Sequence, residues 1–460
     1  MVSNIPRVLI AGTGSGCGKT SVTCALLQAL VRKGVSVSAM KCGPDYIDPM
    51  FHSRIIGAKA SNLDLYFYPE NTAKFLLARS GRDCGVTILE GVMGYYDGLG
   101  LTSDRASAYH AAWVTQTPAV LVVNAAGASL SVLAVLEGFA RFRPDSGIRG
   151  VILNNCSPMV YPALAGAIRE RFGDDLRPLG FLPRMPQCSL ESRHLGLVTA
   201  DEVAGLKEKM ELLGAQAEKS LDLSGLLELA RQAEDLCYAP VSFPRGEPVR
   251  IGVARDRAFC FYYEDNLALL RELGAQIVPF SPLEDPALPE DLHGVYLGGG
   301  YPELYAQRLS GNRSMRACLR EALEGGLPCV AECGGFMYLT QEIAGCPMVG
   351  FLPGKCYNTG KLTRFGYVRL TAGKDSLLCR AGQHFPAHEF HHYDCTEPGG
   401  DYRAEKSGGR SWDCAYGREN LYAGYPHIPF YAMPELAQNF YEACRKEKHR
   451  HAGNHRSQSN

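Results

Sequence analysis

The sequence predicts an α/β protein built from two doubly wound domains. Short apolar runs alternate with amphipathic stretches from residue 7 to about residue 183, and a second series of the same kind begins at residue 249. Near-continuous apolar strands separated by helices are typical of parallel sheets with helices on both faces. Between the two series, residues 238–248 are rich in Pro and Gly, which indicates a linker.

The first domain is assigned to residues 1–200. Its apolar, β-rich segments predict strands at residues 7–11, 35–41, 86–90, 119–124 and 150–154. A helix is predicted at residues 21–33, directly after a glycine-rich loop. Residues 201–247 begin with a stretch rich in Leu, Glu, Lys and Ala, and they predict a helical connector followed by the linker.

The second domain is assigned to residues 248–444. Strands are predicted at residues 249–254, 276–280 and 295–297, with a helix near residues 264–273. Residues 445–460 are polar and contain no apolar run, so they predict a disordered tail.

Composition and charge exclude several functional classes. The 460 residues are 46% hydrophobic and 21% charged, as in ordinary globular proteins, and a formal net charge of -1 gives no reason to expect a nucleic acid or an acidic membrane as partner. No apolar run approaches the length of a membrane span, and the first residues lack a secretory apolar region. The seventeen cysteines are scattered, without a CxxC pair. We therefore expect a cytoplasmic protein in a reducing compartment.

The segment 12–20, GTGSGCGKT, follows an apolar strand and predicts a phosphate-binding loop. Small residues allow consecutive backbone N–H groups to surround a phosphate at a helix N-terminus. Gly12 lies one residue earlier than the usual P-loop pattern requires, but the loop keeps these physical properties. We expect ATP as co-substrate, with Lys19 near its β and γ phosphates and the Thr20 hydroxyl on Mg²⁺. The predicted nucleotide-binding residues are Gly14, Gly16, Gly18, Lys19 and Thr20.

Carboxylates follow two further predicted strands of the first domain. Asp45 and Asp48 come after the strand at 35–41, and Glu90 ends the strand at 86–90. The carboxyl ends of parallel strands are where α/β proteins bind ligands. Since Mg²⁺ prefers hard oxygen ligands, these residues are candidates for metal binding and catalysis.

A second chemical site is predicted around Cys333. The apolar run 328–331 precedes it and Gly334-Gly335 follow it, which is typical of a strand-to-helix turn that raises a nucleophile. We expect the helix N-terminus to lower the pKa of the thiol. Gly299 and Gly300, at the end of another predicted strand, and Gly334 are candidate donors to an oxyanion.

The base for this cysteine is predicted to be His427, in the short apolar segment 422–430. The competing histidines His388 and His392 formally match the zinc motif HExxH, which requires a helix. Pro386 and the aromatic residues around the motif favour a strand instead, in which these two side chains lie ~13 Å apart. A nucleotide site and a cysteine amide-hydrolysis site on one chain indicate ATP-driven transfer of ammonia from glutamine.

On these motifs the chain resembles the cobyrinate a,c-diamide synthase family of glutamine-dependent corrinoid amidases from Val8 to about Tyr441. The N-terminal half is similar to dethiobiotin synthetase, which has the same loop spacing, and the C-terminal half to class I glutamine amidotransferases. The segments that carry the resemblance are 12–20, 41–49 with Phe51-His52, 90–94, 192–197, 259–263, 297–303 and 331–339.

The resemblance implies that ATP phosphorylates a carboxylate of cobyrinic acid and that ammonia, released from L-glutamine at Cys333, displaces the phosphate. It places Thr20, Asp48 and Glu90 on Mg²⁺, although Asp45 and Asp48 could exchange the metal and substrate-carboxylate roles.

The resemblance also suggests substrate contacts through Tyr46 and Arg193. It allows a homodimer and gives no nucleic-acid or membrane partner. In class I enzymes a glutamate stands two residues after the histidine, but Pro429 occupies that position here. A Cys–His dyad is therefore expected, with Glu435 as an untested substitute for the third residue.

Several alternatives remain open from sequence. The macrocycle could be nickel-sirohydrochlorin or hydrogenobyrinate, since enzymes acting on these share the reaction and the motifs. From other classes, the chain could be a regulatory ATPase of the chromosome-partitioning type with an inactive C-terminal half, or a zinc protease using the HExxH match. An inactive C-terminal half is disfavoured because the chain keeps all the expected functional residues, which are Lys19, Thr20, Cys333 and His427.

Overall fold

The computed structural model describes residues 1–188 and 205–457. The chain divides into two compact units, Met1–Val241 and Ser242–Asn460. Arg193, predicted to contact the substrate, lies outside the described residues.

Unit 1 is built on a parallel sheet whose strands are buried nearly throughout. The strands of this sheet are β2 (Arg7–Gly12), β3 (Val37–Cys42), β4 (Lys59–Leu63), β5 (Val86–Glu90), β6 (Ala119–Asn124), β7 (Ile148–Asn154) and β8 (Arg177–Leu182), and a separate antiparallel pair is formed by β1 (Val2–Ser3) and β9 (Leu236–Cys237). The helices are α1 (Lys19–Arg32), α2 (Ile47–Phe51), α3 (Glu70–Gly81), α4 (Ala108–Thr115), α5 (Ser131–Phe142), α6 (Tyr161–Phe172), α7 (Leu206–Ser220) and α8 (Leu223–Arg231). A π-helical turn (His52–Ile56) and a 3-10 turn (Pro186–Cys188) complete the unit.

The strand order of this sheet is β4-β3-β5-β2-β6-β7-β8, and every neighbouring pair is parallel. Glu90 lies in register with Lys41 on one side and with Ile10 on the other. The loops after β2, β3 and β5 therefore leave the same edge of the sheet side by side, as expected for a ligand site in this architecture.

The strands predicted in unit 1 are confirmed to within a few residues. Strands β5 and β6 have the predicted limits, and the first helix begins on the predicted loop, at Lys19. The edge strands β4 and β8 were missed because both contain polar or helix-breaking residues, including Lys59, Asn62 and Pro178. Such mixed segments do not produce the apolar run that identifies a buried strand.

The predicted helical connector is corrected by the structure, because α7 and α8 belong to unit 1. The apolar face of α7 is buried, and Gln28 and Arg32 of α1 bond to Glu211 and Glu218 of α7 at 2.6 Å each. Gly214 lets the helices approach, since a Cβ there would lie 2.5 Å from Gln28 Cγ. The sequence shows the amphipathic helix but not the surface that it covers.

Unit 2 contains a second α/β sheet together with smaller antiparallel and mixed sheets. Its strands are β10 (Val249–Ala254), β11 (Phe259–Phe261), β12 (Ala275–Phe280), β13 (Gly294–Leu297), β14 (Gly299–Gly300), β15 (Cys329–Glu332), β16 (Glu342–Ile343), β17 (Cys346–Pro347), β18 (Lys355–Asn358), β19 (Arg364–Ala372), β20 (His384–His391), β21 (Tyr393–Cys395), β22 (Tyr402–Glu405), β23 (Ser411–Cys414), β24 (Tyr416–Arg418) and β25 (Leu421–Gly424). Its helices are α9 (Glu264–Leu273), α10 (Ala306–Gly311), α11 (Arg313–Glu324), α12 (Gly334–Leu339) and α13 (Glu435–Ser457), with 3-10 turns at Pro302–Tyr305 and Phe430–Ala432.

The main sheet of unit 2 has the order β12-β10-β13-β15-β25-β24. All neighbours are parallel except β24 and β25. Strands β13, β15 and β25 are adjacent, so the residues that follow them meet at one edge. The two α/β sheets agree with the predicted fold class.

The predicted disordered tail is also corrected, because α13 continues through it to Ser457. Lys448 and His449 bond to Glu247 at 3.2 and 2.6 Å, and Arg450 donates to the Gly325 carbonyl at 2.7 Å. Polar side chains, and not an apolar face, attach this part of α13 to the unit. The sequence pattern is therefore the same as that of a solvated terminus.

Candidate active sites

The loop between β2 and α1 has the backbone geometry of a phosphate-binding loop. Gly16 and Gly18 have φ angles of 77° and 99°, which favour glycine. At Gly18 a Cβ would also lie 2.0 Å from Asn154 Nδ2, whose amide donates to the Cys17 carbonyl at 2.9 Å. Asn154 thus closes against the loop at a point where only glycine fits.

Lys19, the first residue of α1, folds back over this loop. Its ammonium donates to the carbonyl of Gly14 at 2.9 Å and to that of Met93. Burial lowers the pKa of Lys19. The side chain is therefore held at the loop by two backbone carbonyls, in the position predicted for contact with nucleotide phosphates.

A buried cluster of charges lies next to the loop, at the ends of β3 and β5. Thr20 Oγ1 donates to Glu90 Oε1 at 2.6 Å, and Lys41 Nζ lies 2.6 Å from Asp48 Oδ2 and 2.8 Å from Glu90 Oε1. Burial alone would lower the pKa of Lys41, but the neighbouring carboxylates outweigh it and raise the pKa. Burial disfavours ionisation of Glu90, yet Lys41 and His52 lower its pKa below the ordinary value.

The predicted metal ligands Thr20, Asp48 and Glu90 are thus brought together, and they fit Mg²⁺. The oxygen atoms present are suitable for this ion, because one hydroxyl and two carboxylates lie together around the positive charge of the Lys41 ammonium. Hydroxyl and carboxylate oxygens are the hard ligands that Mg²⁺ selects.

Asp45 lies near Asp48 and Lys41 of this cluster. It is half-buried, and its Oδ1 accepts from the backbone N–H of Ile47 at 2.8 Å. Burial and the nearby charge of Asp48 raise the pKa of Asp45 to about 7. Asn62 fixes the loop by donating to the Gly43 and Asp45 carbonyls, and Tyr46 is buried at the start of α2.

In unit 2, Cys333 occupies a tight turn between β15 and α12. Its φ and ψ are 48° and -102°, an unfavourable conformation for a residue with a side chain. Gly335 makes the turn possible, since a Cβ there would lie 2.1 Å from the Leu297 carbonyl oxygen. The predicted strand-turn-helix around the cysteine is present.

The predicted lowering of the thiol pKa is wrong for this structure. Burial, reinforced by the negative charge of Glu303, raises the pKa of Cys333. The backbone N–H of Gly334 faces the sulfur and opposes this rise, but it is outweighed. A six-residue helix cannot offset full desolvation of a thiolate, so forming the nucleophile requires a base.

The predicted oxyanion glycines lie against this turn. A Cβ at Gly334 would lie 3.1 Å from the backbone nitrogen of Gly300. A Cβ at Gly299 would lie 2.5 Å from Cε1 of His427. The three glycines thus pack on the cysteine turn and on the predicted base, where backbone N–H groups can stabilise an oxyanion.

His427 follows β25, the parallel neighbour of the strand that ends at Glu332. Its ring is 2% exposed, and Nδ1 lies 3.5 Å from Glu332 Oε2. The Cε1–Nε2 edge of the ring faces Gly299. Glu435 is exposed in the first turn of α13 and is therefore a poor candidate for the residue that pairs with this buried imidazole.

The HExxH segment is a strand, as predicted. Residues His384–His391 form β20 and pair with β19 residue by residue. His388 pairs through its backbone with His427, at 2.8 and 3.1 Å, and burial lowers the pKa of His388 to about 3. In the part of the chain that is described, no group of three or more His, Cys, Asp or Glu side chains is arranged to hold a metal ion.

Sequence reasoning missed three buried polar residues of the two sites: Lys41, His52 and Glu332. Lys41 and Glu332 were detectable, because each is a charged residue at the end of a predicted buried strand. His52 gives no comparable signal, since its distance of 3.3 Å from Glu90 Oε2 depends on the π-helical turn after α2.

Comparisons with known proteins agree with the two folds. Residues 8–198 match the CobQ/CobB/MinD/ParA nucleotide binding domain, and residues 250–434 match the CobB/CobQ-like glutamine amidotransferase domain. A cobyrinate a,c-diamide synthase of Clostridium acetobutylicum is 41% identical over 92% of this chain and 97% of its own length. The chain belongs to the cobyrinate a,c-diamide synthase family.

Further members of the cobyrinate a,c-diamide synthase family are similarly related. The Listeria innocua protein is 39% identical over 96% of this chain and its whole length, and the Thermoplasma volcanium protein is 39% identical over 96% and 97%. Membership confirms the predicted P-loop and amidotransferase domains and the predicted class of enzyme, a glutamine-dependent amide ligase. Within the described residues, no helix is both long and apolar enough to cross a membrane.

Proposed function

We propose that the chain amidates the a and c acetate carboxylates of cobyrinic acid, using ATP and glutamine, in cobalamin synthesis. The observation that carries the proposal is the presence on one chain of a phosphate loop with a carboxylate cluster and of a cysteine elbow with a histidine. The relatives named cobyrinate a,c-diamide synthase, aligned over nearly the whole chain, support this choice of substrate.

In unit 1 the proposed reaction activates a carboxylate of the macrocycle. A free carboxylate is a poor electrophile for ammonia, and transfer of the γ-phosphoryl group gives an acyl phosphate that ammonia converts to an amide with release of phosphate. Lys19 and the N–H groups of Gly14, Gly16 and Gly18 would hold the phosphates. Thr20, Asp48 and Glu90 would hold Mg²⁺, which neutralises charge that develops on the phosphates.

The remaining groups of unit 1 would handle the carboxylate substrate. Asp45 and Tyr46 would contact the macrocycle, and Arg193 stays a predicted contact. Lys41 would offset one of the two negative charges of Asp48 and Glu90 while the anionic substrates bind.

In unit 2 the proposed reaction releases ammonia. His427 takes the proton of the Cys333 thiol, and the sulfur attacks the side-chain amide carbon of glutamine. The N–H groups of Gly299, Gly300 and Gly334 stabilise the resulting oxyanion. The amide nitrogen leaves as ammonia with a proton from His427, and water then hydrolyses the thioester to glutamate and free thiol.

The first experiment is to incubate the enzyme with ATP, glutamine and cobyrinic acid, beside nickel-sirohydrochlorin and hydrogenobyrinate, and to follow product masses. Two successive replacements of OH by NH₂ on cobyrinic acid alone are expected. Amidation of another macrocycle in place of cobyrinic acid would contradict the proposed substrate. No glutamine- and ATP-dependent change on any of them would contradict the proposed reaction.

The Cys333→Ser variant tests the division between the two sites. It is expected to lose glutamine-dependent amidation and to keep amidation with ammonium, because only release of ammonia requires the thiol. Failure of ammonium to restore the reaction in a folded variant would refute the two-site scheme.

A further inference from the structure

Glu332 is a fully buried carboxylate in contact with the imidazole of His427. Its side chain is 1% exposed at the end of β15. Oε1 accepts from the backbone N–H of Ile428 at 3.0 Å, and Oε2 accepts from the Tyr296 hydroxyl at 3.1 Å. Oε2 also lies 3.5 Å from Nδ1 of His427.

The neighbouring groups hold both partners of this contact in place. Asn266 donates to the Ile428 carbonyl at 2.7 Å and to the Tyr296 hydroxyl at 3.3 Å, and it accepts from the Phe430 N–H at 2.7 Å. The segment that carries His427 is therefore attached to the same buried network as Glu332. A carboxylate so deeply buried is costly unless such donors surround it.

We propose that Glu332 is the positioning residue of the glutaminase site. It holds the ring of His427 so that Nδ1 carries the proton and Nε2, on the edge facing Gly299, accepts the proton of Cys333. This inference rests on the proposed function. In class I enzymes a glutamate two residues after the histidine has this role, and Pro429 occupies that position here. We assign the role to Glu332, the residue immediately before the nucleophile.

The chemical reason is the charge that forms on His427 during the reaction. Once the ring has taken the thiol proton it is an imidazolium, and a carboxylate at Nδ1 stabilises that charge and prevents the ring from turning. In this site the carboxylate precedes the cysteine by a single peptide bond and reaches the histidine across two adjacent parallel strands.

The experiment compares glutamine hydrolysis by the parent enzyme and by Glu332→Gln, which keeps the shape of the side chain and removes its charge. We expect kcat to fall on the order of a hundredfold or more while KM for glutamine changes little. Glu332→Asp should recover part of the loss, because it restores a carboxylate. Glu342→Gln, which removes a surface carboxylate paired with Lys355, is the matched control and should match the parent.

The melting temperature and the near-UV circular dichroism spectrum report whether each variant is folded, and ammonium-dependent amidation reports whether unit 1 stays active. If Glu332→Gln is folded and its kcat for glutamine stays within about twofold of the parent, the inference is overturned. If Cys333→Ser itself still uses glutamine, the proposed function fails instead, so the two failures are distinguishable.

A second variant applies if Glu332→Gln does not fold. Tyr296→Phe removes one donor to Glu332 and leaves the carboxylate in place. We expect a severalfold fall in kcat for glutamine with KM unchanged, because the carboxylate is held less firmly. An unchanged kcat in folded Tyr296→Phe would overturn the inference in that case.

Discussion

Lys19 is held over the phosphate loop by the carbonyls of Gly14 and Met93. Replacing it with alanine removes the cation proposed to contact the phosphates and leaves the cysteine site unaltered. We expect Lys19→Ala to lower ATP-dependent amidation by on the order of a hundredfold or more while glutamine hydrolysis stays measurable. Parallel assays of amide and glutamate formation check this. Equal loss of both activities in a folded variant would contradict it.

His388 is a buried imidazole whose pKa falls from 6.5 to about 3, first because burial disfavours its charged form and then because His427 and Lys406 are nearby. A depressed folded pKa gives stability that is present above pH 6.5 and is lost progressively as the pH falls toward 3. We therefore expect His388→Asn to show a smaller decrease in melting temperature than the parent between pH 7 and about pH 4.

Thermal unfolding of both proteins across this pH range is the measurement. His384→Asn is the matched control, since His384 lies on the same strand and is exposed. Its melting temperatures should follow those of the parent. A parallel decrease in parent and His388→Asn would refute the assignment of acid sensitivity to this residue.

The element that shapes the cysteine site is helix α12, which packs against the end of β13. The N–H of Gly335 donates to the Gly298 carbonyl at 3.0 Å, and a Cβ at 335 would lie 2.1 Å from the Leu297 carbonyl oxygen. We expect Gly335→Ala to displace α12, to abolish glutamine hydrolysis and to lower the stability of unit 2 by about 1–3 kcal/mol. Ammonium-dependent amidation should persist.

The matched control for that change is Gly311→Ala. Gly311 ends α10 and has open space where the methyl group would be. Normal glutamine hydrolysis by Gly335→Ala would show that α12 tolerates the displacement and that the close contact is not required.

At the scale of the whole molecule, helices α7 and α8 complete unit 1. The buried face of α7 includes Leu206, Met210 and Leu213 and covers α1, the helix that begins at the phosphate loop. We expect a fragment of residues 1–241 to fold and bind ATP, and a fragment of residues 1–204 to unfold at lower temperature and to bind ATP poorly. Circular dichroism melting and nucleotide titration compare them. Equal behaviour of the two fragments would contradict the assignment of α7 and α8 to this unit.

The sequence was most informative at positions where the local backbone conformation or burial permits only one type of residue. The glycines of the phosphate loop and the apolar runs of β5 and β6 were identifiable because backbone geometry and strand burial require them. Cys333 and His427 were located for the same reason, since each follows a short apolar strand.

Contacts between distant segments could not be predicted from the pattern. Glu332 reaches a histidine 95 positions later, and the distance that joins them depends on β15 lying next to β25. Lys41 meets Glu90 because β3 and β5 are neighbours, although β4 separates them along the chain. The thiol pKa was predicted in the wrong direction because the depth of burial is a property of the folded unit.

The Lys41 ammonium between Asp48 and Glu90 has a consequence for how the phosphate site responds to ligands. The single ammonium offsets one of the two carboxylate charges, so a net negative charge remains on these three side chains before any ligand arrives. We expect a cation that reaches these carboxylates to compete with the Lys41 ammonium for the same oxygens. Because that competition weakens the binding of a free cation, we expect Mg²⁺ to bind more tightly when the phosphates of a nucleotide accompany it.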